Sequence, residues 1–103
     1  MKEKVDLFNV LRKLTFDPDA SQRDLAQSLG FSLGKLNYCL RALQQKGFIK
    51  IKNFSKKKDK IIYINRYVLT TKGINYRIQL TLQYMKRKIN EYEELKREVP
   101  KKK

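Results

Sequence analysis

Polar side chains of the kinds that hydrogen-bond to nucleic-acid bases are concentrated between residues 32 and 45. In the major groove, arginine and lysine match the acceptors of guanine, whereas asparagine and glutamine match the donor and acceptor of adenine. If this stretch is a helix with about 100° per residue, one of its sides is centred on Tyr38 and Gln45. We expect contacts to DNA bases or phosphates from Ser32, Gly34, Lys35, Asn37, Tyr38, Arg41 and Gln45. The alternative is that these are ordinary solvent-facing residues of a surface helix.

The sequence also delimits the helix that must carry these residues and the helix before it. Ser21 is predicted to cap the earlier helix and Gly30 to end it, while Ser32 and Gly47 delimit the later one. Two short helices joined across a glycine-containing turn are typical of a helix-turn-helix, whose second helix enters the major groove. The apolar side of that second helix, predicted to pack on the first two helices, is formed by Leu33, Leu36, Leu40 and Leu43.

The flanking segments predict the remaining elements of a winged helix. A first helix is expected over residues 4–14, because apolar residues recur there at helical spacing, and Pro18 follows its end. After the third helix the apolar residues alternate from Ile49, which predicts a strand, followed by a polar hairpin tip at residues 55–60 and a returning strand at residues 61–69. Helix, helix, helix, hairpin, helix is the element order of a winged helix-turn-helix.

The final helix carries a pattern of a different kind. Thr70 or Thr71 is predicted to cap it, and it runs to about Val99, where Pro100 stops it. At about 28 residues it would be ~40 Å long, which is longer than the small preceding domain needs, so we expect its apolar stripe to form a homodimer. The alternative is that the stripe packs wholly on its own domain. Five residues at heptad spacing form the predicted dimer interface: Ile78, Leu82, Met85, Ile89 and Tyr92.

These elements define a fold class and a domain organisation. The sequence predicts a mainly α protein with a small β-hairpin, in which a winged helix-turn-helix is followed by a long C-terminal dimerisation helix. The predicted divisions are a DNA-binding domain at residues 1–70, the dimerisation helix at residues 71–99 and a basic tail at residues 100–103.

The positive charge is distributed unevenly along the chain. The net charge is +15, yet residues 1–30 are neutral, residues 31–60 carry +8 and residues 61–103 carry +7. The field therefore begins at the helix predicted to meet DNA. We expect the hairpin to contact phosphates or the minor groove, although a solubilising turn is the alternative. The lysines in question are Lys56, Lys57, Lys58 and Lys60.

The composition gives no indication of catalysis, metal binding or cofactor binding. The chain has no histidine and its glycines are isolated. Its glutamate cluster, Glu91, Glu93, Glu94 and Glu98, lies among lysines and arginines on a predicted helix, which is typical of a solvated surface. We therefore expect no enzymatic activity, no metal and no cofactor. Cys39 could act as a redox switch, but its place at the edge of the apolar face favours a half-buried structural cysteine. A single cysteine and the lack of a long apolar run predict a cytoplasmic protein without a membrane segment.

Seven segments of the sequence resemble the MarR superfamily, and most specifically its short branch associated with exopolysaccharide clusters. They are SQRDLAQSLG at 21–30, SLGKLNYCL at 32–40, LQQKG at 43–47, KNF at 52–54, LTTKGI at 69–74, MKRK at 85–88 and EY at 91–92. The resemblance implies a dimeric, DNA-binding transcriptional regulator of surface-polysaccharide genes. The sequence departs from the family at Thr71, where a proline is usual, which should soften the helix start. It also lacks the longer flanking helices that form the ligand cleft of larger members, so a small-molecule effector is not expected.

Two functions remain open on these grounds. The first is a homodimeric transcription factor that binds a specific double-stranded DNA sequence. The second is an interaction adaptor that uses the same fold to dock on an acidic protein partner or RNA. Base readout by Lys35, Asn37, Tyr38 and Arg41 would distinguish them, because an adaptor has no sequence preference among duplexes.

Overall fold

The computed structural model describes residues 2–52, 55–57, 60–62 and 66–100 of the chain. In these ranges three helices, four short strands and a long final helix follow one another, which confirms the predicted order of three helices, a β region and a final helix. They are α1 (Lys2–Phe16), α2 (Gln22–Leu29), α3 (Leu33–Gln45), β1 (Ile49–Lys52), β2 (Ser55–Lys57), β3 (Lys60–Ile62), β4 (Arg66–Leu69) and α4 (Thr71–Glu98). Within the described ranges, no helix has the length and apolar character needed to cross a membrane.

Side-chain caps set the beginnings of three helices. The hydroxyl oxygens of Ser21, Ser32 and Thr70 each accept a hydrogen bond from the backbone N–H three residues later, at 3.1, 3.1 and 3.0 Å. Gly30 ends α2 with a φ of 70°, and Gly47 follows α3 with a φ of 80°, a region that residues with a Cβ rarely adopt. The predicted caps are confirmed. α4 begins at Thr71 although proline is absent there, because the Thr70 cap satisfies the first turn.

The core lies among α1, α2, α3 and the start of β1. Its buried residues are Leu7, Val10, Leu11, Leu14, Leu25, Ala26, Leu36, Cys39, Leu40, Leu43 and Ile49. The prediction for Leu33 was wrong, since this side chain is 50% exposed. Leu33 occupies the first position of α3, and the buried face of that helix begins only at Leu36, one turn later.

The hairpin differs from the prediction in its detail. β1 pairs antiparallel with β4, with Ile49 opposite Leu69, and β2 pairs antiparallel with β3, with Lys56 opposite Ile61. Residues 55–57 and residue 60, predicted to lie in a polar tip, are therefore strand residues. The returning segment also contains two short strands, β3 and β4, where one strand was predicted over residues 61–69. Backbone pairing does not require apolar side chains, so the lysine-rich stretch forms a two-stranded pair of its own, separate from β1 and β4.

The start of α4 is joined tightly to the end of α3. Thr70 donates its hydroxyl proton to the Gly47 carbonyl at 2.6 Å, and the ring of Tyr76 stacks on Phe48 with centroids 4.2 Å apart. Gly73 passes so close to the Phe48 carbonyl that an added Cβ would collide with it. This junction fixes the direction in which α4 leaves the domain. The Cα radius of gyration is 17.8 Å, against about 13 Å for a compact chain of this length, because α4 extends beyond the core.

Candidate nucleic-acid interface

α3 is held in one rotational position by its buried side. Leu36, Leu40 and Leu43 are each at most 1% exposed and contact the other core helices. Since side chains at helical spacing point in fixed directions, burying these leucines places the remaining residues of α3 outside. The structure therefore brings Asn37, Arg41 and Gln45 to the exposed surface of α3. Their predicted role in binding bases stays a prediction.

The beginning of α3 is also exposed. Ser32, Leu33 and Gly34 all lie at the surface, and the Ser32 oxygen accepts from the Lys35 N–H at 3.1 Å. The serine hydroxyl keeps its proton for another acceptor. The nearest atom to a Cβ built on Gly34 is the Ser32 Oγ at 4.0 Å. This helix start therefore offers free N–H groups and a hydroxyl donor of the kind that binds a phosphate.

The ammonium group of Lys35 contacts two other residues of its own chain. Its Nζ lies 3.1 Å from Oδ2 of Asp6 on α1 and 4.3 Å from the centroid of the Phe31 ring. The side chain of Asp6 is 17% exposed and that of Lys35 40%. An ion pair neutralises much of the field of an ammonium group, so Lys35 is a weaker attractor of phosphate than its charge alone indicates.

Tyr38 lies at the centre of the predicted binding face and is 60% exposed. Its phenol donates a hydrogen bond to Oε1 of Glu3 on α1, at 3.2 Å. This bond raises the pKa of Tyr38, since the carboxylate accepts the phenol proton and also repels the phenolate that would form. Tyr38 is therefore a neutral phenol that donates its proton to Glu3.

Sequence reasoning missed the part that α1 plays at this face. Glu3 and Asp6 stand three residues apart in the neutral N-terminal segment, which places them on neighbouring parts of one helix surface. That spacing was the available signal. It could not name Lys35 and Tyr38 as the partners, because the packing of α1 against α3 decides them.

Cys39 is more deeply buried than predicted. Its side chain is 2% exposed within the core, so the expectation of a half-buried position was wrong. The reason is that the apolar side of α3 is wide enough to include Cys39 beside Leu36 and Leu40. Burial raises the pKa of the Cys39 thiol, and the nearby Asp6 carboxylate raises it further. A buried, protonated thiol is a poor nucleophile, which favours the structural role.

The wing, which is the hairpin of β2 and β3, is described only in part. Lys56 and Lys57 belong to β2 and Lys60 to β3, with Lys57 opposite Lys60 in the register. Lys58 lies outside the described residues, and its predicted contact to DNA stays a prediction with those of the other three. On the neighbouring strand β1, the side chains of Lys50 and Lys52 are exposed.

α4 has two sides of opposite environment. Gly73 and Leu80 are buried against the domain, and Tyr84 stacks on Phe8 with ring centroids 4.9 Å apart. The other side carries the predicted seam, whose exposed fractions are 44% for Ile78, 59% for Leu82, 53% for Met85, 57% for Ile89 and 61% for Tyr92. The stripe therefore does not pack wholly on its own domain, which was the alternative left open by the sequence.

A groove of about 520 Å³ runs between α1 and α4. The rings of Phe8, Phe16 and Tyr84 line it, and Met85 and Ile89 of the seam form part of its wall. Met85 and Ile89 therefore belong both to the seam and to the groove, whose wall also includes Arg12, Arg77, Thr81 and Lys88. In the described ranges, no group of His, Cys, Asp or Glu residues is arranged to hold a metal ion.

The sequence matches a protein-family model in the region that includes the exposed polar face of α3. This family model is described as winged helix-turn-helix DNA-binding, and it matches residues 6–50, from within α1 to β1. No curated protein sequence matches the chain. The match places a DNA-binding family motif on the same helices that form the exposed polar face.

Solved structures of MarR regulators share the fold. A MarR family transcription regulator superposes with a TM-score of 0.70 at 20% identity, over 86% of this chain and 56% of that one. A variant of ZitR from Lactococcus lactis in the apo form gives 0.69 at 17% identity, over 96% and 70%. The PcaV transcriptional regulator from Streptomyces coelicolor, in complex with its natural ligand, gives 0.63 at 16% identity, over 78% and 54%. The chain thus spans little more than half the length of two of these three proteins. Residues 6–50 thus match a winged helix-turn-helix DNA-binding family model, on a chain whose fold is that of the MarR regulators.

Proposed function

We propose that this protein is a transcriptional regulator that binds a specific sequence of double-stranded DNA as a homodimer. The observation that carries the proposal is the exposed polar face of α3. Asn37, Arg41 and Gln45 share one surface of a helix whose other surface is locked in the core. Such a helix can enter a major groove without moving, and its side chains are those that discriminate bases.

Electrostatics support duplex DNA as the partner. The neutral N-terminal third lies in α1 and α2, whereas α3 and the hairpin carry nine basic residues against one acidic residue in residues 31–60. Phosphates attract such a surface independently of sequence, and the bases then select the site. The wing lysines Lys56, Lys57, Lys58 and Lys60 supply the sequence-independent part in this proposal.

The exposed seam of α4 supports the homodimer. Burying a leucine or isoleucine contributes about 1.5–3 kcal/mol, so an apolar stripe left in water is costly. A second copy of α4 would cover Ile78, Leu82, Met85, Ile89 and Tyr92, together with the outer wall of the groove. Two recognition helices related by a two-fold axis then read half-sites about one helical turn apart. The resemblance to the exopolysaccharide-associated branch makes surface-polysaccharide genes the proposed targets. The proposed regulator acts in the cytoplasm and needs no small-molecule effector.

Selection from a random duplex library with the purified protein tests this function. We expect one enriched sequence with two-fold symmetry, and a sedimentation coefficient of a dimer at micromolar concentration. Binding that is equally tight to all duplexes, or weaker than binding to an acidic protein or RNA, would contradict the proposal. It would favour the adaptor function instead.

A further inference from the structure

Two carboxylates of α1 contact the face that α3 presents to DNA. Glu3 accepts the phenol proton of Tyr38 at 3.2 Å, and Asp6 pairs with the Lys35 ammonium at 3.1 Å. Both contacts join residues far apart in sequence, and both occupy side chains expected to bind DNA. Acidic groups so close to a phosphate-binding surface weaken its non-specific attraction of DNA phosphates. They also change which hydrogen bonds Tyr38 and Lys35 can offer to DNA.

The bond to Glu3 determines the hydrogen-bonding character of Tyr38. A phenol has one proton to donate, and an ionised carboxylate can only accept. Once the proton is directed at Glu3, the Tyr38 oxygen offers only lone pairs to a ligand. In the major groove the donors are the amino groups of adenine and cytosine, whereas guanine N7 and O6 and thymine O4 are acceptors.

Asp6 acts on Lys35 in a complementary way. The ammonium has three donors, of which one faces Asp6, while the Phe31 ring lies 4.3 Å from Nζ on another side. Part of the positive charge that would attract a phosphate is therefore offset by Asp6. The carboxylate therefore reduces the sequence-independent attraction at the start of α3, and the relative weight of base contacts rises.

We propose that two carboxylates of α1 tune DNA recognition by this protein: Glu3 is a specificity-determining residue that makes Tyr38 an acceptor for an adenine or cytosine amino group, and Asp6 lowers the sequence-independent affinity by withholding Lys35 from the phosphates. The proposal rests on the proposed function, namely that α3 reads duplex DNA. It adds α1 to the readout, although α1 supplies no side chain to the predicted base contacts.

The test for Glu3 compares duplex selection by the wild type, Glu3→Ala and Tyr38→Phe. Tyr38→Phe should lose preference at one base position. Glu3→Ala should relax preference at that same position by about two- to tenfold, the value of one hydrogen bond, because the freed hydroxyl can then donate to guanine or thymine. Glu94→Gln, an exposed carboxylate on α4, is the matched charge control and should change no position.

Base analogues test whether Tyr38 accepts a hydrogen bond from a base amino group. At the position affected by Tyr38→Phe, adenine is replaced by purine, or cytosine by pyrimidin-2-one, so that only the amino group is removed. The wild type should lose about two- to tenfold in affinity, and Tyr38→Phe should lose none. Equal losses in both proteins would overturn the assignment of Tyr38 as the acceptor.

The test for Asp6 is a salt titration. Asp6→Asn keeps the shape of the side chain and should tighten binding to every duplex, with a salt slope steeper by about 0.9 if Lys35 gains one phosphate. Base preferences should not change. Thermal unfolding followed by circular dichroism verifies that the variants fold.

The outcomes separate this inference from the proposed function. A wild type without any sequence preference refutes the proposed function, and the inference with it. A wild type with a clear preference that Glu3→Ala leaves unchanged, and with an affinity and salt slope that Asp6→Asn leaves unchanged, refutes the inference alone, and then α1 is only a structural support.

Discussion

α3 and α4 are each buried on one side and exposed on the other, but they expose opposite kinds of surface. α3 presents Asn37, Arg41 and Gln45 to solvent, whereas α4 presents an apolar seam that includes Leu82 and Ile89, 59% and 57% exposed. Polar groups lose little by facing water, so α3 is stable there without a partner. The seam loses free energy in water, so it needs another apolar surface.

In the proposed function, this difference gives the two helices distinct partners. A nucleic acid offers charges and hydrogen-bonding groups, which suit α3, whereas a second copy of the chain offers an identical apolar seam, which suits α4. The junction at Phe48 and Gly73 packs the start of α4 closely against the end of α3. Dimerisation through α4 would therefore set the distance between two copies of α3. Substitutions can separate the proposed role of α3 in DNA recognition from that of α4 in dimerisation.

The largest effect is expected from polar substitutions in the seam. Leu82→Glu combined with Ile89→Glu removes apolar surface and places like charges across a two-fold axis. The protein should become a monomer and lose roughly 10²–10⁴-fold in affinity for a two-half-site duplex, because the second half-site is no longer tethered. Sedimentation and a binding titration measure both. Gln79→Glu with Asn90→Glu, exposed but outside the seam, is the control, and a dimeric seam variant would place the interface elsewhere.

The glycines in the first turns of the two helices should respond oppositely. Gly73→Ala should reduce the free energy of unfolding by about 3 kcal/mol, because its Cβ would collide with the Phe48 carbonyl. Gly34→Ala meets no atom closer than 4.0 Å and should gain about 0.5 kcal/mol from lower backbone entropy in the unfolded chain. Denaturant unfolding at a fixed protein concentration measures both. Equal effects would mean that the junction yields to the added methyl group.

Substitutions on the exposed face of α3 should alter sequence preference without altering the oligomer. Arg41→Ala or Asn37→Ala should each cost about 1–3 kcal/mol at one base position if the contact is bidentate. Duplex selection with each variant identifies the position, and sedimentation should still give a dimer. If both variants weaken binding to all sequences equally, the residues contact phosphates and not bases.

The wing should contribute affinity without specificity. Replacing Lys56, Lys57 and Lys58 together by glutamine should weaken binding to every duplex, because fewer phosphates are neutralised. The salt slope should fall by about 0.9 for each phosphate that the variant no longer binds. Titrations at several salt concentrations measure the slope. An unchanged slope would show that the hairpin does not reach the DNA.

The smallest effect on DNA binding is expected at Cys39. Its burial in the core and the raised pKa of its thiol keep it protonated, so mild peroxide should leave wild-type affinity unchanged. Cys39→Ser should retain DNA binding but lose about 1–3 kcal/mol of stability, since a buried hydroxyl would lack a partner. A wild type that loses affinity in peroxide, with a resistant Cys39→Ser variant, would instead indicate a redox sensor.

The helices and their limits could be predicted from the sequence because their signals are local. The Ser21, Ser32 and Thr70 caps each involve an N–H three residues away, and Gly30 and Gly47 act through their own backbone angles. Helical spacing also separated the buried from the exposed side of α3 and revealed the seam of α4. Leu33 is the exception, because the helical period alone does not show where the neighbouring helices stop packing.

The sequence by itself determined the order of the elements, the polar face of α3, the apolar seam of α4 and the step in charge along the chain. Only the tertiary structure decided that Glu3 meets Tyr38, that Asp6 meets Lys35, that Gly73 passes against Phe48, and that Cys39 is fully buried. The first set depends on interactions within a few residues, which periodicity and capping encode. The second set joins residues distant in the chain, and their meeting depends on how α1, α3 and α4 pack.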